Sequence, residues 1–165
     1  MNSSSGFQLL VIDDDQLIID SLAYMLPKNW SMTSCKSFSE IKKNSFFHAA
    51  FVDQHLSGNL NKAEGVQEIK KINEHNSKIE IVAMSGDMSL ELMENCLASG
   101  ASKFLVKPLG KDEVLATLEK IEALWLLRET ETRGGKKTTQ WMGTGPASEL
   151  IKKRIASLKG EEGGH

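Results

Sequence analysis

The chain has 165 residues, with 20 lysines and arginines against 22 acids, a formal net charge of -2, 40% hydrophobic and 25% charged content. That balance is an ordinary globular one, with room for one domain and a tail, and it excludes bulk electrostatic attraction to nucleic acid or to an anionic membrane. No apolar run reaches the roughly 18 residues of a membrane span, residues 1–6 lack the basic and apolar regions of a signal peptide, and Cys35 and Cys96 have no metal spacing, so the expected setting is reducing and cytoplasmic.

Phe7 to Ile12, apolar except for Gln8, reads as a strand buried on both faces, the kind found in parallel sheets. It ends abruptly in Asp13, Asp14 and Asp15. Like charges a few Å apart repel by roughly 1 to 4 kcal/mol per pair at a wet surface, so packed acids usually hold a cation. From Gln16, the residues Leu17, Ile18, Leu22, Met25 and Leu26 fall at helical spacing and Pro27 closes the helix. Asp15 is read as the cap of that helix or as a solvated acid. Trp30 to Cys35 is a weak, short strand, and Ser39 is placed to cap a short helix through Lys43. His48 to Val52 is a strongly apolar strand that ends at Asp53. After a long turn-rich stretch from Gln54 to Glu64, Val66, Ile69 and Ile72 mark a helix running to about Asn76. Ile79 to Met84 is a strand ending at Ser85 and Gly86, and Leu90 to Ser99 is a helix stopped by Gly100. Lys103 to Val106 is the last strand; it ends at Lys107 and Pro108, and a helix from Asp112 runs through Leu127 or beyond. Cys96, Met84, Met88 and Met93 are read as core and gap-filling residues.

Strand and helix thus alternate five times, which predicts an α/β fold: a five-stranded, doubly wound parallel sheet with helices on both faces. In such sheets ligands bind at the carboxyl ends of the strands, where strand order reverses. Asp13, Asp14, Asp53, Ser85 and Lys107 all fall at such ends, so three acids, a hydroxyl and an amine are expected to converge. Carboxylates with open water positions suit Mg²⁺, and a carboxylate can attack phosphorus while a lysine and a hydroxyl hold the phosphoryl oxygens. Asp53 stands alone on its strand end and is the best nucleophile, whereas Asp13 and Asp14 are adjacent and suited to share the ion.

The acid pair in VIDDD, Asp53 after AAFV, Ser85 and Gly86 after IEIVAM, Phe104 in KFLVKP and the Lys107-Pro108 pair together resemble the receiver domain of bacterial two-component response regulators, over about Phe7 to Leu126. The resemblance implies a flavodoxin-like receiver fold. It implies that Asp53 accepts phosphate from a phosphohistidine on a sensor histidine kinase, and that Asp13 and Asp14, with the Asp53 carboxylate and the His55 backbone carbonyl, hold Mg²⁺. Ser85 and Lys107 would bind the phosphoryl group, with Ser85 and Phe104 as the switch pair. Such a domain is a signalling phosphoacceptor rather than an enzyme, limited to self-catalysed phosphotransfer and autodephosphorylation. Two departures stand out: Ser57 replaces the family's usual proline in a longer loop before Gly65, and Gly86 replaces the alanine that commonly follows the switch hydroxyl. His55 and Asp87, two residues beyond Asp53 and Ser85, are placed to modulate dephosphorylation.

The expected division is a receiver over 7–127, a linker over 128–139 and a helical tail over 140–165. Residues 140–158, QWMGTGPASELIKKRIASL, resemble the opening of the AAA+ domain of sigma-54-dependent activators, without the lysine and hydroxyl of a phosphate loop. The chain is accordingly read as a fragment ending ahead of an output domain that controls transcription, against the plainer reading of a frayed helical tail. Along the final helix Val114, Leu118, Ile121, Trp125 and Arg128 form a seam expected to support a homodimer together with the Phe104 face. Two other functions fit part of the pattern. One is a Mg²⁺-dependent phosphohydrolase of the haloacid dehalogenase type, with Asp13 as nucleophile and Asp15 as acid; it lacks a further acidic pair, since Asp112 and Glu113 fall in the last helix. The other is a receiver used only for docking, against which the intact acid set argues.

Overall fold

The computed structural model describes residues 6–56, 64–87 and 89–134, and the chain divides into two units after Val114. In the first unit lie strand β1 (Phe7–Ile12), helix α1 (Gln16–Met25), β2 (Trp30–Cys35), β3 (Ala49–Asp53), α2 (Glu64–His75), β4 (Glu80–Ser85), α3 (Leu90–Ser99) and β5 (Lys103–Val106). All five strands are parallel, in the order β2-β1-β3-β4-β5. This is the doubly wound sheet the alternation predicts.

Successive strand residues point to opposite faces. Leu10 and Ile12 of β1, Ala50 and Val52 of β3, and Ile81 and Ala83 of β4 therefore share one face, buried with Ile69 and Ile72 of α2 and Leu92 and Cys96 of α3. Leu9, Val11, Phe51, Val82 and Met84, which alternate with them, are equally buried, so the central strands are covered on both faces. Local signals set the helix ends. The Asp15 side chain accepts the Leu17 N–H at 2.9 Å and caps α1, as expected of it. Ser89 caps α3 in the same way, and Gly100, at φ 127°, ends it in a conformation that favours glycine.

The second alternation differs from expectation. Between β2 and β3 the chain makes a single 3-10 turn, Phe38–Glu40, and its cap is Ser37, not Ser39. The segment is tied down from outside: the buried Glu68 of α2 accepts the Phe38 N–H at 2.8 Å and faces the Ser37 hydroxyl at 3.3 Å. With Phe38 and Ile41 packed against the core cluster, it lies flat on its neighbours instead of coiling into an amphipathic helix. The last helix, α4, spans Lys111–Gly134, so residues 128–134, expected in a linker, are helical. In the second unit Leu118 and Ile121 are buried and the Arg128 guanidinium lies 5.0 Å from the centre of the Trp125 ring. The tail segment 140–158 and the loop 57–63 with Ser57 lie outside the described residues.

At the amino ends of the strands, His48 extends the pairing of β3 with β1. Its backbone N–H donates to Gln8 O at 2.9 Å, and its ring Nδ1 accepts the Gln8 N–H at 3.0 Å. The ring sits among Phe7, Trp30 and Phe46, and burial lowers its pKa below the ordinary 6.5. Because the folded pKa is depressed, the unfolded chain binds the extra proton first, so stability is full above about pH 6.5 and falls as pH drops below it. On chemical denaturation, the wild type should lose more stability than His48→Gln between about pH 7.5 and pH 5.5; equal losses would show that this rung does not depend on a neutral imidazole.

Candidate functional site

The four strand ends converge as the sequence requires. Asp13 follows the last residue of β1, Asp53 closes β3, Ser85 closes β4 and Lys107 follows β5. β1 and β3 are neighbours, and the chain leaves β1 for one side of the sheet and returns to β3 on the other, which makes this the switch point.

Lys107 joins the acids. Its Nζ donates to Asp13 Oδ2 and to Asp53 Oδ1, each at 3.0 Å, while its backbone N–H donates to Ser85 O at 2.8 Å. Asp13 and Asp53 are buried and Asp14 is exposed. Burial pushes the Asp13 carboxyl above its ordinary pKa, against the opposing pull of the Asp15 N–H at 2.9 Å and of Lys107. For Lys107 burial works against the charge, yet its bonds to the two carboxylates raise its pKa above the ordinary value. One oxygen from each of Asp13, Asp14 and Asp53 lies within 4.8 Å of the others. Ligands on opposite sides of a small hard ion at about 2.1 Å are about 4.2 Å apart, so the donor set fits a divalent cation.

Ser85 is fully buried, and its Oγ accepts the Asp87 N–H at 2.9 Å, which engages a lone pair and not the hydroxyl proton. The His55 Nε2 approaches Asp87 Oδ2 at 3.9 Å, so the chain beyond β3 and the chain beyond β4 meet at the two residues expected to flank the site. Phe104 is half-buried against the core cluster, on the strand register beside Ala83. A Cβ at Gly86 would meet nothing within 4 Å, so the missing alanine methyl removes no contact. The residue the sequence reading passed over is Gln54. Read as the start of a turn-rich stretch, it is fully buried directly after Asp53.

The sequence matches the family described as response regulator receiver domain over residues 9–119. The chain belongs to that family. As a receiver it is a signalling domain, and the match removes the phosphohydrolase alternative, in line with Asp112 and Glu113 standing in the first turn of α4. It is 27% identical to the transcriptional regulatory protein ZraR of Escherichia coli over 95% of this chain and 36% of that protein. It is 20% identical to the uncharacterized transcriptional regulatory protein YesN of Bacillus subtilis over 71% of this chain and 33% of that one. The chain thus spans about a third of the length of the curated relatives it matches. The CheY-like receiver domain protein of Methanospirillum hungatei superposes with a TM-score of 0.62 at 24% identity, covering 72% of this chain and 95% of that one. Among the described residues no helix is long and apolar enough to cross a membrane.

The Lys107 ammonium is the cation that balances the buried acids here. Lys107→Met is expected to cost about 3 kcal/mol in buffer containing a chelator at low salt, because it leaves a buried carboxylate pair uncompensated. Urea unfolding checks this, and an unchanged midpoint would mean that the receiver tolerates the acids without their amine.

Proposed function

We propose that Asp53 is the phosphoacceptor of a receiver that takes its phosphoryl group from a phosphohistidine of a sensor histidine kinase. The observation that carries the reading is the Lys107 ammonium 3.0 Å from both Asp13 and Asp53, with Asp14 completing the acid set. An Asp53 oxygen bonds to phosphorus as the phosphorus–nitrogen bond breaks, and the departing imidazole nitrogen keeps the electron pair and takes a proton. Asp13, Asp14, the Asp53 carboxylate and the His55 carbonyl are the groups that would hold Mg²⁺, which when bound supplies positive charge beside the phosphoryl oxygens. Lys107 passes from the acids to one phosphoryl oxygen, Ser85 offers its hydroxyl proton to another, and Phe104 turns into the space Ser85 leaves.

The same proposal includes cytoplasmic residence, an output domain that acts on transcription and a homodimer through the last helix and the Phe104 face. The ZraR match, which runs over 95% of this chain, extends past the receiver into residues 140–158, where the resemblance to sigma-54-dependent activators lies. On α4, Leu126 is 46% exposed and available to a partner.

Incubation with acetyl phosphate and Mg²⁺, followed by mapping of the modified residue, tests the assignment. Asp53→Asn is expected to abolish the modification, whereas Asp13→Ala and Asp14→Ala weaken Mg²⁺ binding by roughly 10- to 100-fold. A stable phosphoform in Asp53→Asn, or none in the wild type, refutes the nucleophile. The His55–Asp87 approach sets the lifetime of the phosphoform by guiding or blocking water. Exchange of either residue should change the decay rate severalfold, and identical decay in both variants would place control of hydrolysis elsewhere.

A further inference from the structure

Gln54 is fully buried, and every polar group it carries is engaged around the residue it follows. Its Nε2 donates to Val52 O at 2.8 Å, and its backbone N–H donates to Met84 O at 3.0 Å. Those are the carbonyl of the peptide group before Asp53 and the N–H of the peptide group after it, so one residue holds the backbone on both sides. Its own carbonyl accepts the Gly65 N–H at 3.2 Å, which ties the start of α2 to the same point.

The orientation of the Gln54 amide is set from α3. The Cys96 thiol, also fully buried, donates to Gln54 Oε1 at 3.2 Å. With Oε1 taking that proton, Nε2 faces Val52 O; a reversed amide would set two acceptors against each other. The wall on the other side is Gly65, where a Cβ would run into the Asp53 carbonyl oxygen and stand 2.6 Å from Gln54 Nε2. Burial pushes the Cys96 thiol up to about 11, so it keeps the proton it donates at neutral pH. An aliphatic side chain would fill this space without the desolvation cost of an amide, so the amide's use lies in what it holds.

We propose that Gln54 is a positioning residue for phosphoryl transfer, fixing the backbone that carries Asp53, and that Cys96 acts through it by setting the direction of its amide. This rests on Asp53 being the phosphoacceptor. In-line attack of a carboxylate oxygen on phosphorus is steep in geometry, and a displacement well under 1 Å is enough to slow it.

The test is the rate at which the full chain takes phosphate from acetyl phosphate, an Asp53 oxygen bonding to phosphorus as the acyl phosphate bond breaks and acetate leaves. Gln54→Met keeps the volume and removes the hold. Its maximal rate at saturating Mg²⁺ is expected to fall about 3- to 10-fold. Cys96→Ala should slow the reaction in the same sense, and Cys96→Ser, which retains a donor, should recover most of the rate. A packing role gives a different pattern, with Gln54→Met like the wild type and the two Cys96 variants alike. If Gln54→Met does not fold, judged by its thermal transition, the Cys96 pair decides alone. Wild-type rates in Gln54→Met, or Cys96→Ser no faster than Cys96→Ala, overturn the positioning role while leaving Asp53 as acceptor; no phosphate on wild-type Asp53 overturns both.

Discussion

Everything at the carboxyl edge of this sheet depends on keeping Asp13 and Asp53 charged side by side. Two carboxylates at the ends of neighbouring parallel strands, both buried, repel each other and lose solvation together. The Lys107 amine, reaching 3.0 Å from each, converts that cost into a held geometry. Its hold is electrostatic and local. A hydrophobic plug would be more stable and would do nothing.

Most of this site is legible in the sequence because its residues sit at breaks in pattern. Asp13, Asp53, Ser85 and Lys107 each interrupt an apolar run at its carboxyl end, and the alternation of strands and helices brings those ends together before any coordinate is known. Asp15 is legible for a simpler reason, as an acid one residue ahead of a helix. Gln54 is not legible. A glutamine following a strand has the same appearance whether it points to water or folds back onto Val52 O, and only the arrival of Cys96 from α3 distinguishes the two. The pairing of His48 with Gln8 is hidden likewise, since it joins residues forty positions apart.

The one misread element has a tertiary cause. Ser39 to Lys43 has the polar start and charged residues of a short helix, yet Ser37 takes the cap and Glu68, thirty residues away, takes the Phe38 N–H. A nascent turn of this length gains little from its own hydrogen bonds. An external carboxylate and two apolar anchors, Phe38 and Ile41, therefore settle its conformation. At α4 composition shifts toward polar residues after Leu127, yet the helix, expected to run through Leu127 or beyond, continues to Gly134. Charged residues on a helix surface cost little, so a fall in hydrophobicity marks the end of burial and not the end of the helix.

The two ends of the sheet are built on different principles. At the amino ends, His48 adds a rung to the ladder and an aromatic cluster closes around it, an arrangement of neutral groups that has no reason to move. At the carboxyl ends, the groups are charged, held by one amine, and bordered by a buried hydroxyl and a half-buried phenylalanine. Any charge added at this edge changes the balance only there. The central strands are covered on both faces, so any adjustment at this end falls to its border, where Ser85 closes β4 opposite Val106 and Phe104 stands two register steps back beside Ala83.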